Sequence, residues 1–159
     1  MNGAADRQVR LADTPALEFA PIKDRGRGVV YINDSKSTTV ASTIAALEGM
    51  RRKSVLIAGG DAKGQDFIGL VPAVRDHARA VVLVGRDAPL LESALRAAGV
   101  DLVPAAGIEE AVALAADIAQ PGDAVLLSPA CASWDMFRDY SERGDRFVSA
   151  VRTLPMGGG

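Results

Sequence analysis

Three stretches hold the residues whose types and spacing could do chemistry. Tyr31-Ile32-Asn33-Asp34-Ser35-Lys36-Ser37-Thr38-Thr39 reads as a strand end running into a helix. Its Ser, Asp and Thr side chains supply N-cap acceptors, free N–H groups at a helix start favour an anion, and Lys36 adds a full positive charge. A well-capped helix with a solvated lysine accounts for the same residues. Ala58-Gly59-Gly60-Asp61-Ala62-Lys63-Gly64 follows an apolar run. Glycines there let backbone approach a ligand closely, and Lys63 is a second cation. A Gly-rich turn without a ligand reads as well. The third stretch is Leu127-Ser128-Pro129-Ala130-Cys131-Ala132-Ser133-Trp134-Asp135. Its small residues permit a tight loop, and Ser133 could cap the helix that follows. Taken together, two lysines, several hydroxyls and backbone N–H groups could hold a small dicarboxylate, each charge-assisted hydrogen bond contributing about 1.5–3 kcal/mol. The residues themselves lead to an anion site and stop short of the anion's identity.

Other reactive groups offer less. Cys131 is the one cysteine and His77 the one histidine. Without a histidine in place to activate it, Cys131 is a poor nucleophile. His77 reads as a surface or end residue of a helix over Val71 to Ala80. A single cysteine excludes an internal disulfide framework and suits a reducing compartment. Walker A spacing is absent, and no Gly-x-Gly-x-x-Gly follows the first strand, so neither a P-loop nor a generic dinucleotide site is expected.

The elements that must position these loops alternate. Val55 to Ala58, Val81 to Val84, Leu102-Val103 and Val125 to Leu127 are short continuous apolar runs, the mark of strands buried on both faces. Between them lie helical patterns. Val40, Ile44 and Leu47 share one face, Leu90, Leu91, Leu95 and Ala98 another with Gly99 as its cap, and Ile108, Val112 and Ala115 a third. Trp134 to Leu154 is expected to hold a last, longer helix or helix pair. Upstream, Leu17 to Ile22 and Gly28 to Ile32 can pair as a hairpin across Lys23 to Arg27. Strand–helix alternation predicts an α/β, Rossmann-like three-layer domain, its mostly parallel sheet flanked by helices, with an N-terminal β-hairpin. In such sheets ligands bind beyond the carboxyl ends of the strands, where the three stretches fall.

With 159 residues the chain suits one domain. Residues 1–14 read as a tail or linker remnant, 15–155 as the domain and 156–159 as a disordered tail. Hydrophobic residues make up 48% and aromatics only 4%, which favours helices packed on a sheet over a β-sandwich. The net charge of -2 gives no field to attract nucleic acid or an anionic membrane. Neither a secretory signal nor a spanning segment is expected, so the chain reads as cytoplasmic.

Asn33-Asp34-Ser35-Lys36-Ser37-Thr38, Gly59-Gly60-Asp61-Ala62-Lys63-Gly64, Leu83-Val84-Gly85-Arg86-Asp87-Ala88 and Leu127 to Phe137, with Arg143-Gly144-Asp145 further on, resemble the C-terminal domain of the Mur ligases. The resemblance is to the type that adds D-glutamate to UDP-N-acetylmuramoyl-L-alanine. It covers roughly Leu17 to Leu154. It implies an ATP-dependent, ADP-forming acid–D-amino-acid ligase of peptidoglycan biosynthesis, and with it of cell-wall formation, cell shape and division. ATP with Mg2+ is implied for the full enzyme. D-glutamate is the implied partner of this domain, while UDP-N-acetylmuramoyl-L-alanine and ATP engage central and N-terminal domains. Carried over by motif, Lys36, Thr38, Lys63, Ser133, Trp134 and Tyr140 would surround D-glutamate. Lys36 and Lys63 would also offset repulsion between anionic reactants, Asp34 would face the nucleotide, and no residue is a metal ligand. Pro15-Ala16 stands where the family has a His-Arg pair. Trp134 stands in place of an aliphatic residue and Tyr140 in place of a phenylalanine. The chain alone is expected to turn over no ATP. The alternatives are a non-catalytic binding module of the same fold, or the corresponding domain of another Mur ligase or of a folylpolyglutamate synthetase.

Overall fold

Apolar runs too short for helices become strands, and the amphipathic stretches between them become helices that cover both faces of the sheet. The structure is a computed structural model that describes residues 28–155 and the backbone of 22–23. The strands are β1 (Ile22–Lys23), β2 (Val30–Asn33), β3 (Ser54–Gly59), β4 (Ala78–Val84), β5 (Asp101–Pro104) and β6 (Ala124–Leu127). The helices are α1 (Val40–Gly49), α2 (Val71–His77), α3 (Ala88–Leu95), α4 (Ile108–Ile118) and α5 (Tyr140–Arg152). The sheet order is β1-β2-β6-β3-β4-β5. β1 runs antiparallel to β2, with Ile22 opposite Tyr31 and Lys23 opposite Val30. All the other pairings are parallel.

Alternation along each strand divides the core in two. Ile32, Leu56, Val81, Leu83 and Leu126 face one side, where Leu47 of α1, Val74 of α2 and Leu91 and Leu95 of α3 cover them. Tyr31, Val55, Ile57, Val82 and Val125 face the other, under Val112 and Ala115 of α4 and Phe147 and Val151 of α5. The layers are therefore helix, sheet, helix, as the pattern predicts. Many of these contacts are made by alanines, which let helix backbone sit close to the strands. Among the described residues no helix is long and apolar enough to cross a membrane.

Several boundaries differ from the sequence reading. The final helix starts at Tyr140 rather than Trp134, because the Ser133 carbonyl accepts from Met136 N and Phe137 N and closes a turn there. Asp139, not Ser133, caps α5, its side chain accepting from Glu142 N at 2.9 Å. Helix α2 ends at His77, since Ala78 is already extended and opens β4. Leu90 is 54% exposed. It lies about 100° round α3 from Leu91, and the buried stripe is Leu91 and Leu95 alone. Lys23 belongs to β1 and not to the turn. The remainder of the expected first strand, the 1–14 tail, Pro15-Ala16 and the 156–159 tail lie outside the described residues.

Candidate functional site

Because β2, β6 and β3 are neighbours and parallel, the loops leaving their carboxyl ends rise from one edge of the sheet. These loops are the three stretches picked out by residue type, so the topology gathers them without long-range folding of any loop. Between them lies a cavity of about 520 Å³, within the usual ~300–1,000 Å³ of small-molecule sites. Thr38 and Thr39 line it from the first loop, Lys63 and Gln65 from the second, and Ala132, Ser133 and Trp134 from the third. Asp139 and Tyr140 close it from the start of α5.

Each wall is held by a specific contact. Thr39 caps α1 in a capping box with Ser42. The Asp34 carboxylate, 2% exposed, accepts from Ser37 Oγ at 2.5 Å and from Ser128 Oγ at 2.9 Å, which ties the first loop to the third. Ala130 N donates to Ser37 O across the same junction. Asp61 and Ala132 exchange backbone hydrogen bonds of 2.9 Å in both directions, which joins the second loop to the third. A side chain at Gly60 would put its Cβ 2.4 Å from Ala132 O, so glycine is required for that close approach. Gln65 then links all three loops. Its Nε2 donates to Thr38 O, Ala62 O and Ala130 O, while its Oε1 accepts from Val40 N.

The second loop is also propped from the next strand. Asp87 Oδ2 accepts from Ala62 N at 2.8 Å, and Asp87 N donates to Gly60 O. The Ala62 N–H, and after it Arg86, hold the Asp87 carboxyl below its ordinary value. Arg86 pairs with Asp61 at 2.7 Å, and its N–H donates to Asp135. On this frame Lys63 adopts φ +52, a conformation rare outside glycine, with its N–H donating to Asp61 Oδ1. Such backbone persists where surrounding contacts over-determine it, and it clusters at ligand sites. The Lys63 ammonium sits 4.5 Å from the centroid of the Trp134 ring.

Behind the cavity, Arg143 is a buried cation. Its guanidinium donates to Ser35 Oγ, Ser35 O and Cys131 O, and Ser35 Oγ in turn donates to Tyr140 O. Burial draws its pKa down to about 10, so it remains charged at neutral pH. Burial likewise pushes the Cys131 thiol up to about 12, against the pull of Arg143. A thiol in that state is no nucleophile at neutral pH.

Of the residues expected from the sequence to form the site, Thr38, Lys63, Ser133, Trp134 and Tyr140 meet at the cavity. Lys36 is exposed on the first loop and does not line it, so among the described residues one lysine, not two, faces the space. Asp34 is turned inward as a loop anchor. Thr39, Gln65, Ala132 and Asp139 are lining residues that sequence reasoning did not single out. Asp139-Tyr140-Ser141-Glu142 carries the spacing of a helix start, which could have exposed Asp139. Gln65 leaves no such signal, since a glutamine after Gly64 reads as a solvated turn.

A family model described as "Mur ligase, glutamate ligase domain" matches residues 19–131. Over 128 residues, 80% of this chain, it is 59% identical to a UDP-N-acetylmuramoylalanine--D-glutamate ligase of Bordetella parapertussis, of which it covers 25%. Over 134 residues, 84% of the chain, it is 57% identical to the protein of the same name in Aromatoleum aromaticum, of which it covers 29%. The chain thus spans about a quarter of the length of the curated relatives it matches. Among solved structures, a domain of a putative UDP-N-acetylmuramate:L-alanyl-gamma-D-glutamyl-medo-diaminopimelate ligase from Haemophilus ducreyi has a TM-score of 0.49 and 14% identity. That match covers 82% of this chain and 97% of the other.

Proposed function

The chain belongs to the Mur ligase family through its glutamate ligase domain, and from that premise we propose that its cavity holds the amino acid that an ADP-forming, D-glutamate-adding ligase joins to UDP-N-acetylmuramoyl-L-alanine. One observation carries the reading. Among the described residues Lys63 is the only cation lining the cavity, with the hydroxyl-bearing residues Thr38, Thr39, Ser133 and Tyr140 around it. A carboxylate there gains a charge-assisted hydrogen bond and hydroxyl donors, while the cavity size suits an amino acid. The relatives named above are D-glutamate ligases by name.

The work of these residues is orientation. Lys63 fixes a carboxylate of glutamate, and hydroxyl groups complete its shell. A second carboxylate anchored elsewhere on the wall leaves one amine free to point at an activated acyl carbon. Holding reactants in that geometry replaces translational freedom that would otherwise oppose the reaction. Lys36, outside the wall, and Lys63, within it, offset repulsion between anionic reactants. Nucleotide and Mg2+ belong to the rest of the ligase in this reading. Among the described residues no group of three or more His, Cys, Asp or Glu could hold a metal ion. Asp34, buried and bonded inward, contributes by shaping the first loop. The setting is peptidoglycan synthesis in the cytoplasm, residues 15–155 forming the amino-acid-binding domain.

Titration of the isotope-labelled chain with D-glutamate and L-glutamate, followed by amide shifts, tests the proposal. Saturable shifts at Thr38, Lys63 and Ser133, larger for the D-isomer, are expected. Flat spectra with both isomers would reject the cavity as an amino-acid site in this chain.

A further inference from the structure

We propose that Trp134 is a positioning residue for the carboxylate anchor: its indole face holds the Lys63 ammonium at the cavity wall while leaving the ammonium's hydrogen-bond donors for a ligand. This rests on the reading of the cavity as a carboxylate site. Trp134 is 65% exposed, so burial does not account for a ring of that size. Its face is used, however: Lys63 Nζ lies 4.5 Å from the centroid, inside the ~6 Å range of cation–π attraction.

The alternative ways of fixing a lysine explain why an indole suits. The four-carbon stem of lysine is flexible, and its charge is strongly hydrated, so an unheld ammonium samples many positions. Here the backbone is already fixed, by φ +52 and by the bond from Lys63 N to Asp61 Oδ1 at 3.0 Å. The tip still needs a partner. The carboxylates on these loops are turned elsewhere: Asp61 pairs with Arg86, Asp87 receives Ala62 N, Asp135 receives Arg86 N through Oδ2 with its Oδ1 buried, and Asp139 caps α5. Lys63 makes no ion pair among the described residues. A carboxylate at the tip would also have to be displaced by an anionic ligand. An aromatic face attracts the charge without that competition, and a lysine ammonium keeps its three N–H donors. Loops two and three, which carry the pair, are locked by the reciprocal Asp61–Ala132 bonds.

Two readouts on the 159-residue chain test this. In the free protein, the Lys63 ε-methylene protons should be shifted upfield by the indole ring current, and Trp134→Leu should abolish the shift. In glutamate titrations Trp134→Leu should raise Kd by about two- to fivefold, the size expected of an exposed cation–π contact. Trp134→Phe should recover most of that loss. Trp134 is the sole tryptophan, so its fluorescence should also respond saturably to glutamate in the wild type and not in Lys63→Gln. An unshifted Lys63 resonance overturns the inference, as does an unchanged Kd in Trp134→Leu beside clear wild-type binding. No glutamate response in the wild type overturns the reading of the cavity and this inference together, which separates the two failures.

Discussion

Gln65 Nε2 lies 2.9 Å from Ala130 O, so a side chain from the loop after β3 is hydrogen-bonded to the backbone of the loop after β6. The same amide reaches Thr38 O in the loop after β2. One residue therefore sets the spacing of three strand ends, and with it the width of the cavity. Gln65→Ala leaves the partly buried Val40 N–H and several carbonyls without this partner. A destabilisation of about 1–3 kcal/mol follows, measured by chemical denaturation. Gln65→Glu is the sharper variant, because a carboxylate cannot donate to three carbonyls. Both should weaken glutamate binding, and a Gln65→Glu protein with native Tm and native Kd would remove Gln65 from the site.

Lys63 combines an ammonium on the cavity wall with a left-handed backbone, so the two features can be separated by substitution. Lys63→Ala removes the charge and no core volume. Glutamate affinity should drop by roughly 10- to 100-fold, the worth of a charge-assisted hydrogen bond of about 1.5–3 kcal/mol, while Tm stays near wild type. Lys63→Gly should bind as poorly as Lys63→Ala and melt no lower than it, because glycine adopts φ +52 without strain. Parallel calorimetry and binding titrations on the two variants check both halves.

The outline of this fold was legible because the strands are buried on both faces. Val55 to Ala58 and Val125 to Leu127 could hardly be anything but interior strands, and neighbouring parallel strands place their loops on one edge. The site was legible by loop and less so by residue. Lys63 stood out as a cation on a glycine-rich loop, Thr38 and Ser133 were picked out by the motif resemblance, and all three line the cavity. Lys36 stood out as a loop cation too and does not line it, since which way a loop lysine points depends on contacts made far away in sequence. Asp34 and Arg143 show the same limit from the other side. Nothing in their residue types marks them for burial, yet the fold buries both to tie loops together. The turn from Ser133 to Phe137 is closed by a backbone carbonyl and leaves no mark on residue type, so only the Asp139 to Glu142 spacing signals the later helix start at Tyr140.

Gly60 is the place where the second and third loops touch most closely. A Cβ there would sit 2.4 Å from Ala132 O, and its φ of +133 disfavours any other residue. Gly60→Ala must therefore break the Asp61–Ala132 pairing or shift the third loop. At a compatible backbone a glycine-to-alanine change stabilises by about 0.4–1 kcal/mol; here it should destabilise by more than that, and amide exchange should quicken at Asp61 and Ala132 while the β3–β4 amides stay protected. Uniform loss of protection across the sheet would instead mean that the loops and the core unfold as one unit.

Asp87 offers a test by pH. Its carboxylate accepts the Ala62 N–H and borders Arg86, and these contacts hold its folded pKa below the ordinary aspartate value. A carboxyl whose folded pKa is depressed adds stability that is fully present above its unfolded pKa, near 3.9, and is lost as pH falls through the folded value. Asp87→Asn preserves shape and one acceptor but removes the charge. The variant should melt below wild type at pH 6 to 7, and the difference should shrink as pH is lowered past 4 toward 2. Because Asp87 supports the loop that carries Lys63, the same variant should lose glutamate affinity at neutral pH if the cavity is the proposed amino-acid site. A melting difference that stays constant between pH 7 and pH 2 would show that packing, not the charge, is what Asp87 contributes.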